Sequence, residues 1–297
     1  MTRVEWPTLA LLAVTYAVWA LGTTLAAGLW LPLGMALVAL AVAQHSSLQH
    51  EALHGHPTRH AALNAALVFP ALGLAVPYGR FRDQHLAHHH DAVLTDPYDD
   101  PESNYLDPAV WARLPGAVRV VLRANNTLLG RMVLGPAVGL AVFLRGDWAA
   151  VRAGARPVLC AWAWHVPAVA VVGLWLAGPA QMPVWAYVIG AYAGLSLLKI
   201  RTFLEHQAEA RASARTVIIE DRGPLALLFL NNNLHVVHHM HPELPWYRLP
   251  AAYAARRAHY LRRNGGYVYR SYAQILRRHL LRAKDPVPHP LYPRPSG

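Results

Sequence analysis

Charge is scarce in this chain of 297 residues: 14% are Asp, Glu, Lys or Arg, while 55% are hydrophobic. A soluble domain carries about 25% charged residues, so the deficit argues for a protein that faces lipid. Lysine is almost missing. Lys199 and Lys284 are the only two, so the net charge of +11, from 27 basic against 16 acidic residues, is carried by arginine. Cysteine occurs once, as Cys160. A single thiol excludes an intramolecular disulfide and a cysteine-held zinc or iron–sulfur site. Any metal must therefore be held by histidine, with help from Asp, Glu or Asn. A basic protein can meet nucleic acid or anionic lipid head groups. No nucleic-acid module accompanies the arginines, so membrane lipids are the expected contact and no nucleic-acid partner is expected.

The missing charge is not spread evenly. Trp6 to His50 is a run of 45 residues without Asp, Glu, Lys or Arg, about 68 Å as helix at 1.5 Å per residue. One crossing of the hydrocarbon core takes roughly 20 residues, so the run fits two helices joined near Gly28–Pro32. It is too long for a signal-peptide core and has no clear cleavage pattern. Pro157 to Leu198 is a second uncharged run of 42 residues, broken near Gly178–Pro183. The predicted spans are about 9–27, 31–47, 158–177 and 183–199, forming two hairpins. Ala61–Gly79 carries Pro70 and Pro77, and Met132–Leu144 has only 13 residues; both read as interfacial or re-entrant. His165 reads as a packed, hydrogen-bonded residue, since burying it unpaired is costly.

The arginines all lie outside the hairpins, and the loops on the far side carry no Lys or Arg. The positive-inside rule then puts both termini and the polar segments, 48–156 and 200–284, in the cytoplasm. The fold class expected is all-α and integral to the membrane: four transmembrane helices and a cytoplasmic helical cap, with a loop-like tail over 285–297. The location expected is a bacterial inner membrane. The Arg-rich stretch Ala251–Lys284 reads as short helices lying on anionic lipid, split at Gly265–Gly266.

Histidine is abundant where charge is scarce. The segment NNNLHVVHHMHP holds His235, His238, His239 and His241 within seven positions. Residues i, i+3 and i+4 share a helix face, and imidazole is the commonest metal-binding side chain. His85, His88 and His89 repeat that spacing, and His50 and His54 form an i, i+4 pair just past the second predicted span. Glu205–His206 follows the fourth predicted span at a similar depth. Spacing repeated at the span exits is hard to explain as a polar surface turn.

The ordered set HEALH, HLAHH and HVVHH, with HPELPWYRLP and two hydrophobic hairpins, resembles the membrane fatty acid desaturase superfamily, which includes hydroxylases and carotenoid ketolases. The resemblance covers most of the chain. It implies two iron ions, with O2 as co-substrate. The implied ligands are His50, His54, His85, His88, His89, His235, His238 and His239, with His206 matching an additional histidine of some members. Thr202 stands where acyl-CoA desaturases place an asparagine, which puts that contact in doubt. His56, His60, His90 and His241 fall outside the box pattern.

Metal-bound imidazoles need polar partners behind them. The loop from Asp91 to Asp107 holds six of the sixteen acids. Asp91, Asp96, Asp99 and Asp100 are read either as turn and cap residues or as supports for imidazoles. Glu51, Glu205 and Asn231 are candidates for the same support. The function expected is oxygen-dependent oxidation of a lipid-like substrate, most simply fatty acyl desaturation. The alternative is hydroxylation or ketolation of a lipid or carotenoid. A transition-metal transporter or sensor is the competing class, but the spans lack the row of ionisable residues that marks an ion path. No haem or iron–sulfur module is visible, so the electron donor expected is a separate protein such as a ferredoxin.

Overall fold

The computed structural model of the chain describes residues 4–89 and 92–292. In chain order the elements are α1 (Trp6–Leu21), a π turn (Gly22–Ala26), α2 (Ala27–Leu29), α3 (Leu31–Leu53), α4 (Ala61–Leu67) and α5 (Tyr78–His88). Then come α6 (Pro108–Arg113), α7 (Gly116–Asn125), α8 (Leu128–Arg152), α9 (Arg156–Ala177) and α10 (Val184–Thr202). The last part holds β1 (Ile218–Ile219), α11 (Pro224–Leu228), α12 (His235–Met240), α13 (Leu249–Ala255), α14 (Arg257–Arg263), β2 (Val268–Tyr269) and α15 (Tyr272–His279). The fold is mostly helical. Among the described residues its departure from all-α is one parallel strand pair, with Ile218 opposite Val268 and Ile219 opposite Tyr269. The chain forms two compact units: Met1–Arg82 with Pro136–Leu198, and Asp83–Gly135 with Lys199–Gly297.

The first unit is built on small residues that let helices approach closely. A Cβ on Gly34 would sit 2.6 Å from the Gly22 carbonyl oxygen, and one on Gly194 would sit 2.7 Å from that of Ala39. Only glycine fits these contacts of α3 with the π turn and with α10. The π turn has a matching cause. Thr23 O accepts from Gln181 N–H at 2.9 Å and from Met182 N–H at 3.1 Å, so it serves the loop before α10. The hydroxyls of Thr23 and Thr24 donate to the carbonyls of Trp19 and Ala20 at 2.9 and 2.7 Å. The core packs Trp19, Val38, Val42, Leu72, Val172 and Tyr187. Tyr187 is fully buried, yet its hydroxyl accepts from Trp19 Nε1 at 3.0 Å and donates to Leu72 O at 2.9 Å.

Among the described residues, four helical segments are long and apolar enough to cross a membrane: Trp6–Leu29, Leu31–Leu53, Leu128–Arg152 and Arg156–Ala177. This corrects the reading of Met132–Leu144 as too short. The helix is 25 residues long and continues through Arg131 and Arg145, the charges that bound the run in sequence; Arg145 is exposed, and the buried Arg131 and Asp147 have partners in space. Asp147 pairs with Arg80 at 2.9 Å and accepts from Trp162 Nε1 at 2.8 Å. The buried Arg131 donates to the carbonyl of Asn125 at 2.8 Å and to the side chain of Asn104. The segment predicted at 183–199 is the helix α10, but Lys199 and Arg201 in its last turn keep it out of that set. Ala61–Gly79 gives the short α4 and then irregular backbone, whose Leu67, Leu72 and Leu74 carbonyls accept from Tyr16, Tyr187 and His165. His165 is thus a buried hydrogen-bond donor, at 2.8 Å.

In the second unit, Ile218, Leu234, Val236, Val237, Leu249, Tyr253 and Tyr260 form an apolar bed beneath α12. Leu230 and Asn231, both at positive φ (52° and 55°), turn the chain into that helix. Gly265 and Gly266, at φ 65° and 79°, end α14, where the sequence predicts a break.

Candidate metal centre

Two helices and two loops of the second unit supply the histidines. His85 and His88 lie in the last turn of α5, with His89 just beyond it. His235, His238 and His239 lie on α12. His206 follows α10, where it bridges to Thr216 as an isolated antiparallel pair. The donor atoms of His88, His206, His235 and His239 all lie within 4.8 Å of one another. Those of His85, His89 and His238 lie equally close together. Each three-histidine box is therefore divided. The i, i+4 pair goes to one position and the middle histidine to the other, with the two boxes taking opposite parts. The rings of His89 and His239 stack 4.4 Å apart, so the two positions share a wall.

Hydrogen bonds behind the rings fix which nitrogen is free. His88 donates from Nδ1 to Asp100 Oδ1 at 2.7 Å, and His235 from Nδ1 to Asn232 Oδ1 at 2.9 Å. In its neutral form each keeps a lone pair on Nε2. Those lone pairs face Nε2 of His206, at 2.8 Å from His88 and 3.2 Å from His235. At the other position His85 donates from Nδ1 to Glu102 Oε1 at 2.9 Å. Its Nε2 then faces that of His89 at 2.9 Å, and His89 faces that of His238 at 3.1 Å. A proton on His206 Nε2 serves only one of the two ring nitrogens that face it. A cation between them serves all three, and a set of imidazoles suits a first-row transition metal.

The electrostatics divide the set. Burial, then the neighbouring His88 and His239, hold His206 well below the usual histidine range; burial and His239 do the same for His235. Burial also opposes charge on His88, but Glu102, together with Asp100 through its hydrogen bond and charge, pushes it up to about 9. Burial raises the carboxyl of Glu205, with Arg201 opposing, even though Arg201 Nε lies 3.0 Å from it.

The supports predicted from sequence sort unevenly. Asp100 holds His88. Asp96 instead accepts from the backbone N–H groups of Tyr98 and Asp99 at 2.8 and 3.0 Å, so it caps a turn and does not support an imidazole. Asn231 donates to Trp246 O at 3.1 Å, and the support of His235 falls to Asn232. Glu205 Oε1 stands 3.9 Å from His235 Nδ1, beyond a hydrogen bond. Asp91, like His90, lies outside the described residues. Glu102, behind His85, was not singled out from sequence. The signal was its place in the same acidic loop, 17 positions after His85. In the first unit, His50 closes the last turn of α3 and His54 caps it, with ring centroids 4.9 Å apart. His50 and Glu51 are buried. His56, outside the boxes, donates to Glu5 at 2.8 Å.

The chain is thus mostly helical, with helices long and apolar enough to cross a membrane and two histidine groups that could each hold a metal ion. The chain belongs to the fatty acid desaturase family, whose model matches residues 27–272. A beta-carotene ketolase of Paracoccus sp. (strain N81106 / MBIC 01143) is 24% identical over 231 residues, covering 75% of this chain and 74% of the ketolase.

Proposed function

We propose that the protein is an oxygen-dependent di-iron oxidoreductase that oxidises an unactivated C–H bond of a lipid-like substrate. The observation that carries this is the convergence of the Nε2 atoms of His88, His206 and His235, with His239 in the same 4.8 Å group. His88, His206, His235 and His239 would hold one iron. His85, His89 and His238 would hold the other, and His50 and His54, by their box and the family, would complete its ligands. Bound iron supplies what the side chains lack, the reduction of O2 with electrons from a donor protein. For desaturation the balance is one O2, two electrons, two protons and two substrate hydrogens, giving two waters and a double bond.

The residues of this chain do the rest. Asp100, Glu102 and Asn232 hold three imidazoles in one tautomer, which keeps their lone pairs aimed inward. Burial of His85, His88, His235 and His238 to about 2% exposure or less keeps water away. The first reading of the reaction is fatty acyl desaturation in a bacterial inner membrane, with the site on the cytoplasmic side and a ferredoxin-like donor. The ketolase relative favours a second reading, insertion of oxygen into a carotenoid-like substrate.

Host lipids and carotenoids compared by mass spectrometry, with and without expression, separate the two. A product lighter by two hydrogens supports desaturation, and one that has gained oxygen supports hydroxylation or ketolation. Purified protein carrying zinc alone, with no O2 consumption, would refute both and support the transport or sensing class.

A further inference from the structure

Behind Asp100 stands a residue in a conformation it does not favour. Thr95 has φ 69°, a left-handed value that β-branched residues rarely adopt. Such strain persists only where the surroundings impose it, and three hydrogen bonds do so here. Thr95 N–H donates to Asp100 Oδ2 at 2.8 Å, and its carbonyl accepts from Ser103 Oγ at 3.0 Å. Its hydroxyl meets His289 Nε2 at 3.2 Å. His289 Nδ1 accepts from Leu291 N–H at 3.2 Å, which leaves the ring proton on Nε2 to donate to Thr95.

His289 reaches that place because the C-terminal segment is laid along the acidic loop. Leu106 N–H donates to Val287 O at 3.0 Å, and His289 N–H donates to Leu106 O at 2.8 Å. Tyr105 donates to the carboxylate of Asp285 and accepts from Ala208 N–H. The Lys284 ammonium donates to the backbone carbonyl of His206. Thr95, Asp100 and His289 are all buried.

We propose that the segment 284–289 is a latch that positions the histidines of the first metal position. His289 acts through Thr95 and Asp100 on His88, and Lys284 acts on the backbone of His206. The inference rests on the metal reading of the site. His289 touches no donor atom, so it is a positioning residue.

The test is Co2+ binding to metal-stripped, full-length protein in detergent, read from its visible absorption and a binding isotherm. His289→Ala and Thr95→Val should each weaken Co2+ binding, by less than the roughly ten- to hundredfold that follows loss of Asp100, the direct partner of His88. His289→Gln keeps an N–H donor and should restore most of the affinity. His289→Ala added to Asp100→Asn should cost little beyond Asp100→Asn alone, because residues in one network do not act additively. A general loss of stability would instead add in full. Unchanged affinity in His289→Ala, full additivity, or a Gln variant as poor as Ala would each overturn the latch. If His289→Ala does not fold, Thr95→Val against Thr95→Ser makes the same comparison. Failure of the unsubstituted protein to bind Co2+ would defeat the metal reading itself.

Discussion

Replacing Asp100 by asparagine should weaken both the folded cap and its hold on metal, for a reason that can be counted atom by atom. Asp100 Oδ1 accepts from His88 Nδ1 at 2.7 Å and from Glu102 N–H at 2.9 Å, while Oδ2 accepts from Thr95 N–H at 2.8 Å. All these partners are donors. Asparagine offers one acceptor oxygen and one NH2 group, so whichever way the amide turns, a donor faces a donor. A buried donor left unpaired costs about 1–3 kcal/mol, and the side chains of His88 and Asp100 are each 1% exposed. Loss of the carboxylate behind His88 should also lower metal affinity roughly ten- to a hundredfold, or about 1.4–2.8 kcal/mol. The assay is a thermal midpoint of the metal-free protein in detergent, followed by a Co2+ isotherm. Asp99→Asn, one residue earlier and exposed, should change neither. A midpoint and affinity equal to the unsubstituted protein in Asp100→Asn would refute the reasoning, as would equal losses in both variants.

His206→Ala and His238→Ala should each remove about half the iron, since they serve different positions, and either should abolish turnover; metal analysis of the purified variants checks this. His259, exposed on α14, is the fitting control, and its alanine variant should keep full iron and activity. Metal uptake by the metal-free protein should strengthen as pH rises towards about 9, because metal must displace the proton that Glu102 and Asp100 hold on His88; isotherms across that range would show it. The stabilisation tied to that proton runs the other way: it is full below the ordinary value of 6.5 and lost as pH rises through about 9. Gly194→Leu should destabilise the first unit by about 1–3 kcal/mol through overpacking, since even a Cβ there would lie 2.7 Å from the Ala39 carbonyl oxygen; a lowered thermal midpoint with metal content unchanged is the expected record.

The histidines were legible in sequence because ligands that share a metal from one helix must recur at helical spacing, and that rule needs no tertiary knowledge. Their division between two positions was not legible. On α12, His235 and His239 go one way and His238 the other only because α5 faces them with the complementary split. The supports were harder still. Asp96 and Asp100 look alike in the acidic loop, and only the fold decides that one caps a turn and the other meets His88. Thr95 and His289 are 194 positions apart, and no local pattern joins them. The apolar runs gave the helices well where charge was absent. They failed at α8, because Arg131 and Arg145 bound the run in sequence while the helix continues through both, with Arg145 exposed and the buried Arg131 and Asp147 satisfied by Asn104, Asn125 and Arg80. The strands β1 and β2, two residues each, exist only by pairing with one another across the chain.

The converging ring nitrogens of His88, His206 and His235 have a consequence for how the chain reaches and leaves its folded state. His88 and His206 are 118 positions apart, and His89 and His238 are 149 apart. An ion held between such residues closes very long loops, as a disulfide does in a secreted protein, and Cys160 alone cannot supply that service. Metal bound there would act as a reversible cross-link of the folded chain, because the unfolded chain does not hold the site together. Newly made chain should gain stability as iron arrives, and metal-loaded protein should unfold more slowly than metal-free protein. Iron supply would then govern the lifetime of the protein as well as its activity.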